Sequence, residues 1–313
     1  MSLEIVAAGS LATPSPRRRR GVQRRQALIG LGFLAPALVF ILVAMIYPLL
    51  LSVWQAFLKQ DSSTYQQVFA GIANFKYFFA NVSLFRTLPI TLMFVLGATL
   101  LAFVLGFLWA LVLEQVQRAR ALLRSLTLVP WVLPSVVTAF LWAWILDGQF
   151  GVLNGALHAM GVLQQNVVWL ADPTTARIAI VIARAWQSMP WFTLMFIAGL
   201  QSVPVEQIEA VRVDGGGNWQ VLIHAIVPHL RFTMLIALIL GAMGNLQLFD
   251  LIYAMTGGGP AGSTSVMSLA LYQQAFKVFN FGTASAIGVI WILLLIIPTV
   301  FYVRSALPGK QKV

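Results

Sequence analysis

Arg184, Gln187, Ser188 and Trp191 stand at i, i+3, i+4 and i+7 of an otherwise apolar run, which puts all four on one face of a helix. A guanidinium, an amide, a hydroxyl and an indole on one stripe are suited to holding a ligand. A second run carries Gly241, Asn245 and Leu248 on a shared face, with Gln247 and Asp250 turned away from it. A third sets Trp131 beside Pro130 and Pro134, and Trp142, Trp144 and Trp186 lie further out. A neutral sugar calls for this mixture, an aromatic ring against its apolar face and amides and hydroxyls for its hydroxyl groups. The competing reading is structural: small and polar residues also join membrane helices, and tryptophan at a run end also forms the interfacial belt. Arg184 and Asp250 lie at similar depth, roughly 6–10 Å inside their run ends at 1.5 Å per residue. That leaves a structural ion pair open beside ligand contact. Glu114 and Asp147, at run ends, are expected to be solvated.

Bond-breaking chemistry finds no support. The three histidines, His158, His224 and His229, lack the His-Glu-x-x-His spacing of a zinc protease. Asp147 and Asp250 lack the Gly-x-Gly-Asp context of an intramembrane aspartyl site, and no Gly-x-Ser-x-Gly elbow occurs. There is no cysteine for a disulfide, a thiolate metal site or a nucleophile. No catalytic residue and no metal site is expected.

The elements that must position these residues are set by composition. Of 313 residues 59% are hydrophobic and 9% charged, against about 25% charged in a soluble domain. The chain reads as an all-α polytopic membrane protein. Six runs approach the ~20 apolar residues of a spanning helix: 27–54, 87–113, 121–146, 178–200, 232–254 and 283–303. The first follows Arg17–Arg20, Arg24 and Arg25, which look like a secretory signal. Its length and the lack of a clear cleavage site make it a retained anchor. Residues 1–25 are expected to form a disordered basic tail lying against anionic lipid, 26–305 the six-span domain, and 306–313 a second tail.

The net charge of +11 is concentrated at run ends, which argues for membrane orientation rather than nucleic acid. Fourteen of the 20 basic residues fall on one side: six in the N-terminal tail, Arg118, Arg120, Arg124, Arg212, Arg231, Arg304, Lys310 and Lys312. Lys59, Lys76, Arg86, Arg177 and Lys277 fall on the other. Both termini and the interval 203–228 are therefore expected in the cytoplasm.

That interval is charge-rich in a charge-poor chain, holding Glu206, Glu209, Arg212 and Asp214. Pro204 suits a first helical turn, early acids favour the positive end of the helix dipole, and Gly215-Gly216-Gly217 ends the helix. A second helix from about Trp219 would run through Pro228 into the membrane. A solvated amphipathic loop is the plain reading, and a docking surface for a soluble partner the sharper one. Further along, Thr256-Gly257-Gly258-Gly259-Pro260 is a breaker cluster expected to close the fifth span.

Glu209-Ala210-x-x-x-Asp214-Gly215 followed by Ile226-x-Pro228 resembles the EAA loop of permease subunits in binding-protein-dependent ABC importers. Leu200-Gln201-Ser202-Val203-Pro204, Thr256–Pro260 and Asp172-Pro173-Thr174-Thr175-Ala176-Arg177 extend the likeness to the sugar-importing branch, maltose-type first permeases in particular. Val211 replaces a usual alanine, and Gly216 stands where alanine commonly follows Asp-Gly. The resemblance implies an inner-membrane subunit translocating a sugar, such as maltose or another α-glucoside. A coupling helix would offer Glu206, Glu209, Ala210, Asp214 and Gly215 to an ATPase subunit. Trp131, Arg184, Gln187, Ser188, Trp191, Gly241, Asn245 and Leu248 are the implied substrate contacts.

The implied partners are a second permease, two ATPase subunits that bind the ATP, and an extracytoplasmic sugar-binding protein. This chain has no Gly-x-x-x-x-Gly-Lys-Ser/Thr phosphate loop of its own. A sister importer for another cargo, such as glycerol 3-phosphate with Arg184 as its anion partner, remains an alternative. So does an ATP-independent channel or secondary transporter, which would have no use for a docking helix.

Overall fold

The computed structural model describes residues 30, 32–60, 66–116 and 118–306. The expected tail 1–25 and all but the first residue of the tail 306–313 lie outside the described residues. The chain divides into two units, Met1–Trp54 and Gln55–Val313. In the first, helix α1 (Gly32–Gln55) is apolar on every side, the pattern of a helix made for lipid. It passes through Pro48 by widening to a π turn at Leu42–Ile46. The wide turn makes room for a ring that would clash with the carbonyl four residues back.

The second unit opens with a hairpin, β1 (Leu58–Gln60) antiparallel to β2 (Gln67–Phe69). A short helix α2 (Ala73–Ala80) follows. Its buried Asn74 amide donates to the carbonyls of Ala56 and Leu58, fixing the loop. Then come α3 (Val82–Gln115), α4 (Arg120–Val132), α5 (Ser135–Ile145) and α6 (Val152–Ala159). α7 (Pro173–Leu200) and α8 (Val205–Val213) lead to α9 (Asn218–Leu246). α10 (Asp250–Thr256), α11 (Met267–Phe276) and α12 (Phe281–Ala306) complete the unit. Among the described residues five helices are long and apolar enough to cross a membrane, or six if the bent α4–α5 pair is one span.

The centre of the unit is the α3–α7 pair. Ala98, Ala102, Gly106 and Ala110 recur every fourth residue on α3 and are buried. Their small size lets the backbones approach. A Cβ on Gly106 would sit 2.6 Å from the Phe192 Cβ of α7. Phe103, Phe107, Phe192 and Phe196 interlock around this seam, Phe103 and Phe196 edge to face at 5.0 Å. α7 begins at Pro173, ahead of the run expected from 178, with Asp172 capping Thr174 and Thr175 and Pro173 in the first turn.

Three expectations are corrected. The third run is not straight, because α4 and α5 meet at 97°. The fifth ends at Leu246 rather than 254, and the Thr256–Pro260 cluster closes the separate helix α10. Two donors make the early stop tolerable: Trp291 Nε1 donates to the Leu246 carbonyl at 3.1 Å and Ser268 Oγ to that of Leu248 at 2.9 Å. Glu114, expected to be solvated, pairs with Arg120 and, at 3.7 Å, with Arg124 across the α3–α4 turn. Asp147 is exposed, as expected.

Candidate functional site

The cavity is created by the break between α4 and α5. Leu133 precedes Pro134 and is pushed into an extended conformation (φ −66°, ψ 133°), as the proline ring demands of its predecessor. The chain turns there, and a carbonyl leaves the helical ladder inside the bundle. Gln187 Nε2 supplies its partner, donating to the Leu133 carbonyl at 3.1 Å and more weakly to Ser135 Oγ.

From this amide a continuous polar chain runs through the unit. Arg184 Nη1 donates to Gln187 Oε1 at 2.9 Å, and Arg184 Nε to Asn245 Oδ1 at 2.7 Å. Asn245 Nδ2 donates in turn to Thr99 Oγ1 at 2.8 Å. Four elements, α3, α9, α7 and the α4–α5 break, are thus joined through one guanidinium. Asn245 and Gln187 are only 2% and 4% exposed, and both ends of each amide are already engaged. They orient Arg184. Among the described residues no carboxylate lies within ion-pair distance of Arg184, so the Arg184–Asp250 pair left open by the sequence is absent. Asp250 sits exposed in the first turn of α10.

These residues wall a cavity of about 480 Å³. Its lining is Trp131, Leu133, Pro134, Ser135, Arg184, Gln187, Ser188, Trp191, Phe192, Leu240, Gly241, Gly244 and Asn245. Ser188 Oγ spends its proton on the Arg184 carbonyl at 2.8 Å, leaving an acceptor. Trp131 is half exposed, and Trp191 stands edge-on to Phe192 at 4.9 Å. Gly241 keeps the floor open, since a Cβ there would run into the Phe192 ring. Leu248 is the exception among the expected contacts. It follows the end of α9 and is buried in an apolar cluster with Leu251 and Met255. Thr99 and Phe192 carried no signal in the sequence, since each is an unremarkable member of an apolar run. Pro134 did announce the break.

At the opposite end of α7, α8 presents Glu206, Glu209, Ala210, Asp214 and Gly215, all exposed. α8 buries none of its residues, and Val205, Val213 and the nearby Trp219 are 62%, 86% and 68% exposed. Gly215 adopts φ +81°, the left-handed turn that ends the helix. The two departures from the EAA pattern face one another: a Cβ on Gly216 would lie 2.7 Å from Val211 Cγ1. Beyond it α9 passes Pro228 after a π turn at Leu222–Ile226, the same accommodation as at Pro48.

A helical bundle with a polar-walled cavity and a short exposed helix between two spans has the architecture of an importer permease, a multi-pass transport component. The chain belongs to the family of binding-protein-dependent transport system inner membrane components, whose pattern it matches over residues 102–306. It is 30% identical over 280 residues to the trehalose/maltose transport system permease protein MalF of Thermococcus litoralis, covering 90% of this chain and 94% of that one. It is also 30% identical over 294 residues to the sulfoquinovosyl glycerol transport system permease protein SmoG of Agrobacterium fabrum, covering 92% and 94%. The fold superposes with TM-score 0.76 on a chain of a bacterial ABC transporter involved in the import of the acidic polysaccharide alginate. That match has 20% identity and covers 92% of this chain and 96% of that one.

Proposed function

We propose that this chain is the transmembrane subunit through which an ABC importer passes a sugar, a disaccharide or oligosaccharide of the maltose or α-glucoside kind, across the inner membrane. The observation that carries the reading is the cavity itself. Trp131 and Trp191 offer aromatic faces, and Arg184, held by two buried amides, offers directed donors. The likeness to a trehalose/maltose permease component supports the cargo class.

Energy comes from outside the chain. α8 is the coupling helix, with Glu206, Glu209, Ala210, Asp214 and Gly215 seated on an ATPase subunit. Its lack of any buried residue and its exposed valines support that docking role. A second permease completes the pathway, two ATPase subunits drive it, and an extracytoplasmic binding protein delivers the cargo. Both termini and α8 lie in the cytoplasm, in keeping with the distribution of basic residues. ATP-driven closure of the ATPase pair moves α8, and the bundle exchanges inward- and outward-facing states.

One observation favours a second reading of the cargo. Arg184 faces the cavity with no carboxylate among the described residues to neutralise it. An anionic cargo, such as glycerol 3-phosphate or a sulfonated sugar, would supply the missing charge. The likeness to a sulfoquinovosyl glycerol permease component is consistent with this.

Uptake into proteoliposomes tests the proposal. Radiolabelled maltose, sulfoquinovosyl glycerol and glycerol 3-phosphate are offered with the cognate binding protein, with and without the ATPase subunit. Uptake that survives omission of the ATPase subunit would make the chain a channel or secondary transporter. With the complete assembly, the preferred compound separates the two cargo readings.

A further inference from the structure

A second cavity, of about 650 Å³, opens at the membrane end opposite α8, between the starts of α3 and α7 and the loop after α10. Its polar wall is Arg86, Arg177 and Ser263, with no carboxylate among the lining residues. Arg177 Nε donates to the Ser263 carbonyl at 2.8 Å, which aims the rest of its guanidinium. Arg86 has no hydrogen-bond or ion-pair partner among the described residues. Ser263 is 6% exposed, yet its Oγ is buried without a hydrogen-bond partner. Buried hydroxyls are nearly always satisfied, so an orphan beside two uncompensated arginines marks a place for an acceptor-rich anion.

The remaining wall says which anion. Pro89, Ile90 and Met93 follow Arg86 along α3 at i+3, i+4 and i+7, one helical stripe running about 10 Å deeper into the membrane. Ile90 and Met93 also border a recess of about 10 Å³ shared with Phe94, Ile180, Val266, Thr264 and Arg177. Charge at the interface passing into an apolar track is the profile of an amphiphile rather than of a free ion or a protein carboxylate. We propose that Arg86, Arg177 and Ser263 bind the phosphate of an anionic phospholipid whose first acyl carbons lie along Ile90 and Met93.

Native mass spectrometry of the full chain, purified in mild detergent and titrated with phosphatidylglycerol, tests this without recourse to cargo transport. Wild-type protein is expected to retain one phosphatidylglycerol more than Arg86→Gln, with at least fivefold lower occupancy of that adduct in the variant. Phosphatidylcholine should not fill the place, and millimolar inorganic phosphate should not empty it. Arg86 makes no hydrogen bond or ion pair among the described residues, so its replacement strands no polar group. Ser263→Ala keeps the carbonyl that holds Arg177 and is expected to give a smaller loss. Equal retention by wild type and both variants overturns the proposal. So does displacement by inorganic phosphate, which would mark a small-anion site. Weakened capture of the binding protein by Arg86→Gln, with lipid retention unchanged, would assign the patch to a protein carboxylate and overturn it too.

Discussion

Arg184 and Asn245, 61 positions apart in the chain, share a 2.7 Å hydrogen bond that ties α7 to α9 and aims a guanidinium into the central cavity. The amide is buried and the guanidinium is partly open. The pair therefore joins a structural element to a chemical one, and substitutions at Asn245 can separate the two roles.

Asn245→Leu deprives Arg184 of one of its two acceptors and Thr99 of its donor. A loss of about 1–3 kcal/mol is expected from two stranded polar groups, read as lowered thermal stability in detergent. Asn245→Asp keeps the shape and neutralises the guanidinium. Its stability should stay near wild type, while any uptake of anionic cargo falls at least tenfold and maltose uptake persists. Equal loss of both would remove Arg184 from the discrimination.

Gly241→Val drives a side chain into the Phe192 ring, whose Cε1 would be 3.1 Å from the new Cβ. Overpacking of this kind costs about 1–3 kcal/mol. Uptake should drop below a tenth of wild type while the protein still assembles in the membrane. Full uptake would show that the cargo does not pass this floor.

Glu209→Lys reverses the charge of an exposed side chain on a helix with no buried residue, so the fold should tolerate it. ATP hydrolysis is expected to lose its dependence on cargo and binding protein, with membrane assembly unchanged. Normal coupled transport by the variant would count against the docking role of α8.

Gly216 and Val211 form a small–large exchange against the alanine pair usual in the motif. Gly216→Ala alone brings a methyl to 2.7 Å from both Val211 Cγ1 and the Val211 carbonyl, and should impair stability and coupling. Adding Val211→Ala removes the side-chain half of the clash and should restore part of the loss. A double-mutant cycle with no interaction energy would refute the pairing.

Asp147 gives a pH prediction. The backbone N–H groups of Phe150 and Gln149, each at 2.8 Å from its Oδ1, hold the carboxyl below its usual range. A carboxyl lowered on folding stabilises the fold fully above its unfolded pKa, and the contribution disappears as pH falls through the folded value. Thermal stability of wild type should therefore fall more steeply than that of Asp147→Asn below the ordinary aspartate range. Parallel acid limbs would show that the turn makes no difference.

The spans and α8 were legible because they depend on local signals. Apolar runs long enough to cross a bilayer must be helical, and Pro204, Gly215 and the early acids mark where α8 begins and ends. The stripe Arg184–Trp191 was legible for the same reason, since helical periodicity alone puts its members on one face. The end of α9 was not. Residues 247–254 continue the apolar run apart from Gln247 and Asp250, and the stop is tolerated because Trp291 and Ser268, from distant segments, satisfy the carbonyls of Leu246 and Leu248. Leu248 fell out of the cavity with that stop.

What the chain determines by itself is a membrane bundle with polar groups on known faces and an acid-rich short helix between two spans, because periodicity, charge and proline act over a few residues. Which faces meet was decided only in three dimensions. The Leu133 carbonyl freed by Pro134, the Gln187 amide that answers it and the Thr99 hydroxyl that anchors Asn245 are far apart in sequence. Their pairing is forced by the cost of leaving any of them unsatisfied in an apolar interior.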